Sequence, residues 1–167
     1  TNLFQVYPRS SEESPLSAAD TITLQDIEVI RNIATDIKYI SPVNDWSQPA
    51  KYGGKSKRVY AYGVWPEFMH IRNVKLEEGR FLSESDEKGS RRVVVIDSKL
   101  AEDLFARDEA LGKQIDLFGV HMTVIGVTQR DDSFLMGGPD QPSTVYIPYS
   151  TFSGITSFSY VGYIEGS

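Results

Sequence analysis

Few residues in this 167-residue chain are of a type and spacing that could do chemistry. There are two histidines, His70 and His121, each alone. Histidine-based zinc sites need imidazoles at spacings such as H-x-x-x-H or H-E-x-x-H, and neither residue has such a neighbour. His121 opens a predicted strand and reads as a surface or turn residue. His70 follows a proline turn and is expected to pack beside Trp65. The acid pairs Glu12-Glu13 and Glu77-Glu78 carry the groups used in glycoside hydrolysis, but that chemistry depends on the separation of two carboxyls in space. Solvated surface charge is the simpler reading of both. Asp131-Asp132 offers oxygen ligands without the further ligands at fixed offsets that calcium requires. No G-x-S-x-G elbow, P-loop or G-x-G-x-x-G is present. The absence of cysteine removes thiolate nucleophiles, disulfides and cysteine-ligated metals. The sequence makes no case for catalysis, a metal or a cofactor.

Composition narrows the remaining classes. With 40% hydrophobic and 11% aromatic residues the chain can bury a core, as one domain or two small lobes. A net charge of −6 argues against a nucleic-acid partner. The densest cations, Lys51, Lys55, Lys57 and Arg58, surround Gly53-Gly54 and read as a solvated hairpin tip. No apolar run reaches the ~18–20 residues that span a bilayer, and the first residues lack the regions of a signal peptide. Leu3 to Tyr7 begins a strand with no lead-in, so the chain reads as an excised piece.

The elements follow from periodicity and punctuation. After the first strand, Arg9 to Asp20 is a polar loop. Thr23 and Asp26 form a capping-box variant ahead of a helix whose Leu24, Ile27, Ile30 and Ile33 share one face, read as core packing. Ile37 to Tyr52 is extended, interrupted at Pro42 and Pro49, and turns at Gly53-Gly54 into a strand over Lys55 to Val64. There Arg58, Tyr60, Tyr62 and Val64 face one way and Val59, Ala61 and Gly63 the other. Pro66 then starts a new turn, Phe68, Ile71, Val74 and Leu76 anchor it, and Gly79 breaks the run. The stretch Val59–Phe81 reads as a joint between two lobes.

Beyond Gly79 the character changes. Ser83 to Asp86 is a cap-like turn, followed by a loop to Ser90. Val93-Val94-Val95-Ile96 has the continuous apolar character of a strand buried on both faces. Ser98 is the expected cap of a helix through Leu104 and Phe105. Gln114 to Phe118 and His121 to Val127 read as strands, with Gly126 marking a bulge or close backbone contact. Gln129 to Ser143 is a long loop with an apolar tip, Phe134-Leu135-Met136, read as a partner or cargo contact, with folding back onto the core as the equal alternative. Thr144 to Tyr149 is a strand with Pro148 at an edge or exit, Ser150 to Phe152 a turn, and Tyr160 to Ile164 the last strand.

The ordered punctuation Gly63-Val64-x-Pro66-x-Phe68, Gly79-Arg80-Phe81, Arg92-Val93-Val94-Val95-Ile96, Leu104-Phe105, Leu111-Gly112-Lys113, Thr123-Val124-Ile125-Gly126-Val127 and Tyr146-Ile147-Pro148-Tyr149-Ser150-Thr151 resembles the MacB-like periplasmic core domain. That domain is the extracytoplasmic part of ABC transporter permeases with an FtsX-like membrane region. The departures are Met69, where a second aromatic is usual, and Ala110, where proline is usual. The family also continues past Ile164 with a helix and a strand before re-entering the membrane, so the expectation is either an incomplete first lobe or a trimmed piece.

The resemblance implies an α+β fold of two lobes. A discontinuous porter-like α/β sandwich lobe spans 1–78 plus 141–167, and an inserted mixed strand/helix lobe spans 79–140. It implies no enzyme activity in this domain. Its partners would be a cognate ABC ATPase reached through the membrane region, a second permease copy, and a membrane-fusion adaptor or a lipoprotein carrier. The work would be export or release of cargo on the outer side of the bacterial cytoplasmic membrane, coupled mechanically to ATP hydrolysis. The competing expectation is a free-standing extracytoplasmic module that binds a small ligand or a peptide. The cargo is not readable from the sequence.

Overall fold

A computed structural model describes residues 3–8, 21–130, 141–158 and 160–167. The polar loop at Arg9–Asp20 and the Phe134-Leu135-Met136 tip, with Asp131-Asp132 and Glu12-Glu13, lie outside the described residues. The first strand is β1 (Phe4–Val6), and helix α1 (Leu24–Ile33) follows with the expected capping box, Thr23 N–H donating to Asp26 Oδ2 at 2.8 Å. Its apolar face is only partly covered. Ile27 is buried and Ile30 packs beside it, but Leu24 and Ile33 are exposed, Ile33 by 77%. The core reading therefore holds for the middle of the helix and fails at its ends.

Strands β2 (Ile40–Tyr52) and β3 (Lys55–Val64) form the long hairpin, and Gly53 and Gly54 both take positive φ, as a tight type I′ turn needs. Pro42 and Pro49 do not interrupt β2. Each pairs with one neighbour only, Pro42 with Ile164 and Pro49 with Arg58, so its missing N–H does not have to serve two ladders. The two faces of β3 divide as its alternation predicts, with Val59, Ala61 and Gly63 buried.

Pro66 leads into the short helix α2 (Phe68–Ile71), whose Phe68 and Ile71 are buried, and β4 (Leu76–Gly79) follows. The predicted turn at Ser83 is a helix, α3 (Glu84–Lys88). Val94, Val95 and Ile96 in β5 (Val93–Asp97) are buried on both faces. Helix α4 (Ser98–Phe105) is capped one residue earlier than expected, by Asp97, whose Oδ1 accepts from Leu100 N–H at 2.8 Å. Then come β6 (Gln114–Leu117), β7 (Val120–Thr128) and β8 (Ser143–Pro148). Strand β8 lies between β3 and β5, so Pro148 marks an exit and not an edge. The turn expected at Ser150 is instead helix α5 (Tyr149–Thr156), and the last strand is β9 (Tyr163–Gly166).

The described strands make one nine-stranded sheet in the order β1-β9-β2-β3-β8-β5-β7-β4, with β6 pairing both β2 and β7. That double pairing closes a hydrogen-bonded ring, β2-β3-β8-β5-β7-β6, back onto β2. Inside it, Ala50, Val59, Ala61, Val145 and Ile147 pack with Val94, Ile96, Leu104, Ile115 and Met122. The ring and its core thus draw on chain from both sides of Gly79. This mixed α/β architecture meets the fold class expected from the sequence.

Candidate coupling site where two parts of the chain meet

Strand β4 is laid tightly against β7. Gly79 has φ +70, and Arg80 N–H donates to Ile125 O at 3.1 Å. A Cβ on Gly126 would sit 2.1 Å from Arg80 O, so this approach is open only to glycine. The register of β7 against β5 also shifts between Val94 and Val95, so Gly126 serves both a bulge and a close contact.

From that point the chain enters α3 through a reciprocal cap. Ser83 N–H donates to Asp86 Oδ2 at 2.8 Å and Asp86 N–H to Ser83 Oγ at 3.3 Å. The Asp86 carboxylate is fully buried and takes two bonds from Arg80, Nη1 to Oδ2 at 2.7 Å and Nη2 to Oδ1 at 3.2 Å, while Arg91 Nη1 stands 3.6 Å from Oδ1. Burial alone would raise its pKa. The bonds from Arg80 and Ser83 outweigh burial and hold it below the ordinary aspartate range.

The next residue reaches the other way. Helix α5 begins at Tyr149 after Pro148, which has no side chain able to cap it. Glu87 supplies the missing acceptor from α3. Ser150 N–H donates to Glu87 Oε1 at 2.9 Å and Oε2 at 3.2 Å, and Ser150 Oγ donates to Glu87 O at 2.6 Å. A carboxylate at the start of a helix meets unpaired N–H groups and the positive end of the dipole. Burial nevertheless pushes the Glu87 carboxyl above its usual range, and hydrogen bonds from Ser150, Tyr149 and Trp65 only partly offset it. Beside it, Thr151 Oγ1 donates to Arg91 O at 2.7 Å.

Asp97 makes a second bridge of the same kind. One oxygen caps α4, and the other, Oδ2, accepts from Thr144 N–H at 3.1 Å. Lys99 Nζ and Arg130 Nη2 both donate to Gln141 O, at 3.4 and 2.9 Å. Beneath the junction Phe68, Phe81 and Tyr146 meet, with ring centres 5.7 Å apart for Phe68–Tyr146 and 5.4 Å for Phe81–Tyr146. The joint is also tied to the last strand, since Arg72 pairs with the buried Glu165 through Nε to Oε2 at 2.6 Å.

The residues first considered for chemistry are dispersed. His70 stacks on Tyr39, with ring centres 4.8 Å apart. His121 is exposed and pairs with Asp116 at 2.6 Å, and Glu77 and Glu78 are exposed on β4. Among the described residues no group of three or more His, Asp or Glu is gathered as a metal site would require. Sequence reading passed over Glu87 and Asp97. Asp97 directly before α4 carries a local cap signal, but its bond from Thr144 and the cap that Glu87 supplies to α5 leave none.

The family model described as MacB-like periplasmic core domain matches residues 1–165. Among curated relatives, the macrolide export ATP-binding/permease protein MacB of Shewanella sp. (strain W3-18-1) is 30% identical over 134 residues, 80% of this chain and 20% of that protein. The pyoverdine export ATP-binding/permease protein PvdT of Pseudomonas syringae pv. tomato is 30% identical over 149 residues, 89% of this chain and 22% of that protein. The chain therefore spans about a fifth of the length of these curated relatives. The crystal structure of the periplasmic region of MacB from Actinobacillus actinomycetemcomitans aligns with TM-score 0.81 at 26% identity, covering 100% of this chain and 74% of that one. The extracellular domain of the transporter YknZ from Gram-positive bacteria shares the fold, with TM-score 0.82 at 20% identity over 99% of this chain and 83% of that one. No helix among the described residues is long and apolar enough to cross a membrane. On the strength of the match over 1–165, the chain belongs to the MacB-like periplasmic core domain family of ABC transporter permeases.

Proposed function

We propose that this domain carries force, outside the cytoplasmic membrane, from ATP hydrolysis by a cognate ABC ATPase to the export or release of cargo. The observation that carries the reading is the closed ring of strands combined with the carboxylate bridges at Glu87 and Asp97. A domain built this way resists internal shear, so movement imposed at one pole reaches the opposite pole undiminished. Two permease copies would present two such bodies, and their rearrangement would follow the differential binding of ATP to the two states of the transporter. In this reading 79–140 is an insertion by chain path that works as one body with 1–78 and 141–167.

Cargo passes to a membrane-fusion adaptor or a lipoprotein carrier in this scheme. The Phe134-Leu135-Met136 run is the proposed contact, on the ground of its apolar sequence within a polar loop. A Leu135→Asp variant of the parent permease is expected to lose adaptor binding and transport. Normal transport by that variant removes the assignment.

The reading itself is tested in the parent transporter by replacing these 167 residues with a short flexible linker. ATP hydrolysis is expected to persist while export stops. Export that continues without the domain refutes the proposal. Location is tested separately with Ser56→Cys, an exposed site in a stretch without native cysteine, which a membrane-impermeant maleimide should label in intact spheroplasts.

A further inference from the structure

The tip of the β2–β3 hairpin extends past the strands beside it. Strand β8 reaches along β3 only to Val59 and β6 along β2 only to Lys51, so among the described residues 52–58 pair only within the hairpin. This overhang and its base carry Lys51, Lys55, Lys57 and Arg58, all exposed, and no acid occurs anywhere from 46 to 66. In a chain of net charge −6 that is a local excess of the opposite sign. Asp116, opposite Lys51 on β6, pairs with His121, and among the described residues none of the three lysines is in an ion pair. Lys55 lies opposite Tyr52 and Lys57 opposite Ala50, so both lysines share the face of Tyr52. On that face Tyr52 meets Phe105 of α4, with ring centres 4.6 Å apart.

The chain beyond Phe105 forms one wall of an open groove of about 410 Å³. Its lining brings Glu77 and Glu78 of β4 together with Glu102, Asp108 and Glu109, all exposed, with Arg107 as the one cation in that lining. Hairpin and groove are therefore neighbours, joined through Tyr52 and Phe105. Within one chain, none of these five acids is in an ion pair among the described residues, with the hairpin or with anything else. Adjacent patches of opposite sign are what a two-fold interface needs. A second copy related by an axis between them sets each hairpin over the other copy's groove, and both contacts form at once.

We propose that two copies of this chain associate through reciprocal contacts, with Lys55 and Lys57 of each hairpin tip seated against Glu102 and Asp108 in the groove of the other copy. The projecting, cation-only hairpin is the docking element, and the second copy is its partner because the matching charge is already carried by the same chain. Each exposed pair is weak alone, and two lysines on each of two hairpins make four such pairs. The proposal deepens the proposed function and rests on it for its setting, since two permease copies hold two such domains at high effective concentration.

The experiment is sedimentation equilibrium of the 167-residue chain at up to ~1 mM, the effective concentration of closely tethered partners. Physiological ionic strength suits it, because a Debye length of about 8 Å screens the repulsion between two net charges of −6 more than it screens charges in contact. A dimer is expected, dispersed at ~1 M salt, where the Debye length is about 3 Å. Lys55→Glu with Lys57→Glu should weaken it about tenfold or more, and Glu102→Lys with Asp108→Lys likewise, because each reversal acts twice in a two-fold interface. Mixed in equal amounts, these two variants should form a heterodimer, since each hairpin then meets a groove of opposite charge. That rescue also shows that both variants remain folded. Lys38→Glu with Lys88→Glu, both exposed and outside the hairpin and the groove lining, should associate as the wild type does. A monomer at every concentration, a hairpin variant that associates normally, or a mixture without heterodimer overturns the proposal. So does an equal loss with Lys38→Glu and Lys88→Glu, which would mark net charge alone. The measurement needs neither ATPase nor membrane, so its failure is separable from the outcome of the linker replacement in the parent transporter.

Discussion

Glu87 caps helix α5 from a different element, accepting the N–H of Ser150 with both carboxylate oxygens at 2.9 and 3.2 Å across 63 positions of sequence. Pro148 leaves that helix start without a local acceptor, and the neighbouring α3 supplies it. The contact ties the segment after Gly79 to the segment after Gln141 at the point where β8 leaves the ring.

Removing this cap should cost a measurable but modest amount. Glu87→Ala is expected to destabilise the domain by about 1 kcal/mol, the usual value of a helix cap. That corresponds to a fall in melting temperature of ~2–4 °C for a chain of this size. Thermal unfolding followed by circular dichroism checks it, and an unchanged midpoint would show that the contact contributes nothing.

The pH dependence of stability should carry two opposite signs from adjacent residues. Glu87 has a folded-state pKa raised above its ordinary 4.5 by burial, so its contribution is full below that value and is lost as pH rises through the folded value. Asp86 is lowered from 3.8, because Arg80 and Ser83 outweigh burial, so its contribution is present above 3.8 and is lost as pH falls through the lower folded value. Glu87→Gln should flatten the loss of stability that begins above pH 4.5 and leave the loss below pH 3.8 unchanged. Asp86→Asn should do the reverse and weaken the Ser83 cap. Parallel curves for wild type and both variants would contradict these assignments.

Glycines differ sharply in what they permit. Gly126→Ala forces a Cβ to 2.1 Å from Arg80 O, and Gly79→Ala one to 2.2 Å from Ile125 O at φ +70. Backbone on both sides must move, so each should cost about 3 kcal/mol or more. Gly54→Ala meets nothing within 4 Å and faces only its positive φ, at about 1 kcal/mol. Equal losses at Gly54 and Gly126 in urea unfolding would mean that the β4–β7 approach is not tight.

Much of this fold was legible in the sequence where the signal is local. The hairpin at Gly53-Gly54, the alternation of Val59, Ala61 and Gly63, the buried run of β5 and the Thr23 box are dictated by residues within a turn of one another. Longer-range features were hidden. The prolines of β2 look like interruptions until the partners of Pro42 and Pro49 are known. Helix α5 was read as a turn because its start has no cap of its own and takes Glu87 instead. The face of α1 was overread for a similar reason, since periodicity identifies an apolar stripe but not how much of it a neighbour covers. Ile33 lies on that stripe and is exposed.

Core substitutions should report on the ring as a single cooperative unit. Ile96→Ala, with Ile96 fully buried among residues from both sides of Gly79, is expected to cost about 2–5 kcal/mol. Unfolding should stay one transition, seen identically by the fluorescence of Trp46 and Trp65 and by circular dichroism. Two separated transitions would indicate lobes that unfold independently.

The central claim is that the domain moves as one body and transmits force without deforming. Distance measurement between spin labels in the parent transporter tests it most directly. Thr35→Cys and Arg107→Cys, both exposed and on opposite sides of Gly79, report the internal geometry, and Arg107→Cys alone reports the separation between two copies. On going from the nucleotide-free to the ATP-bound transporter, the Thr35–Arg107 distance should stay constant while the distance between copies changes. A change within the domain as large as the change between copies would contradict the account.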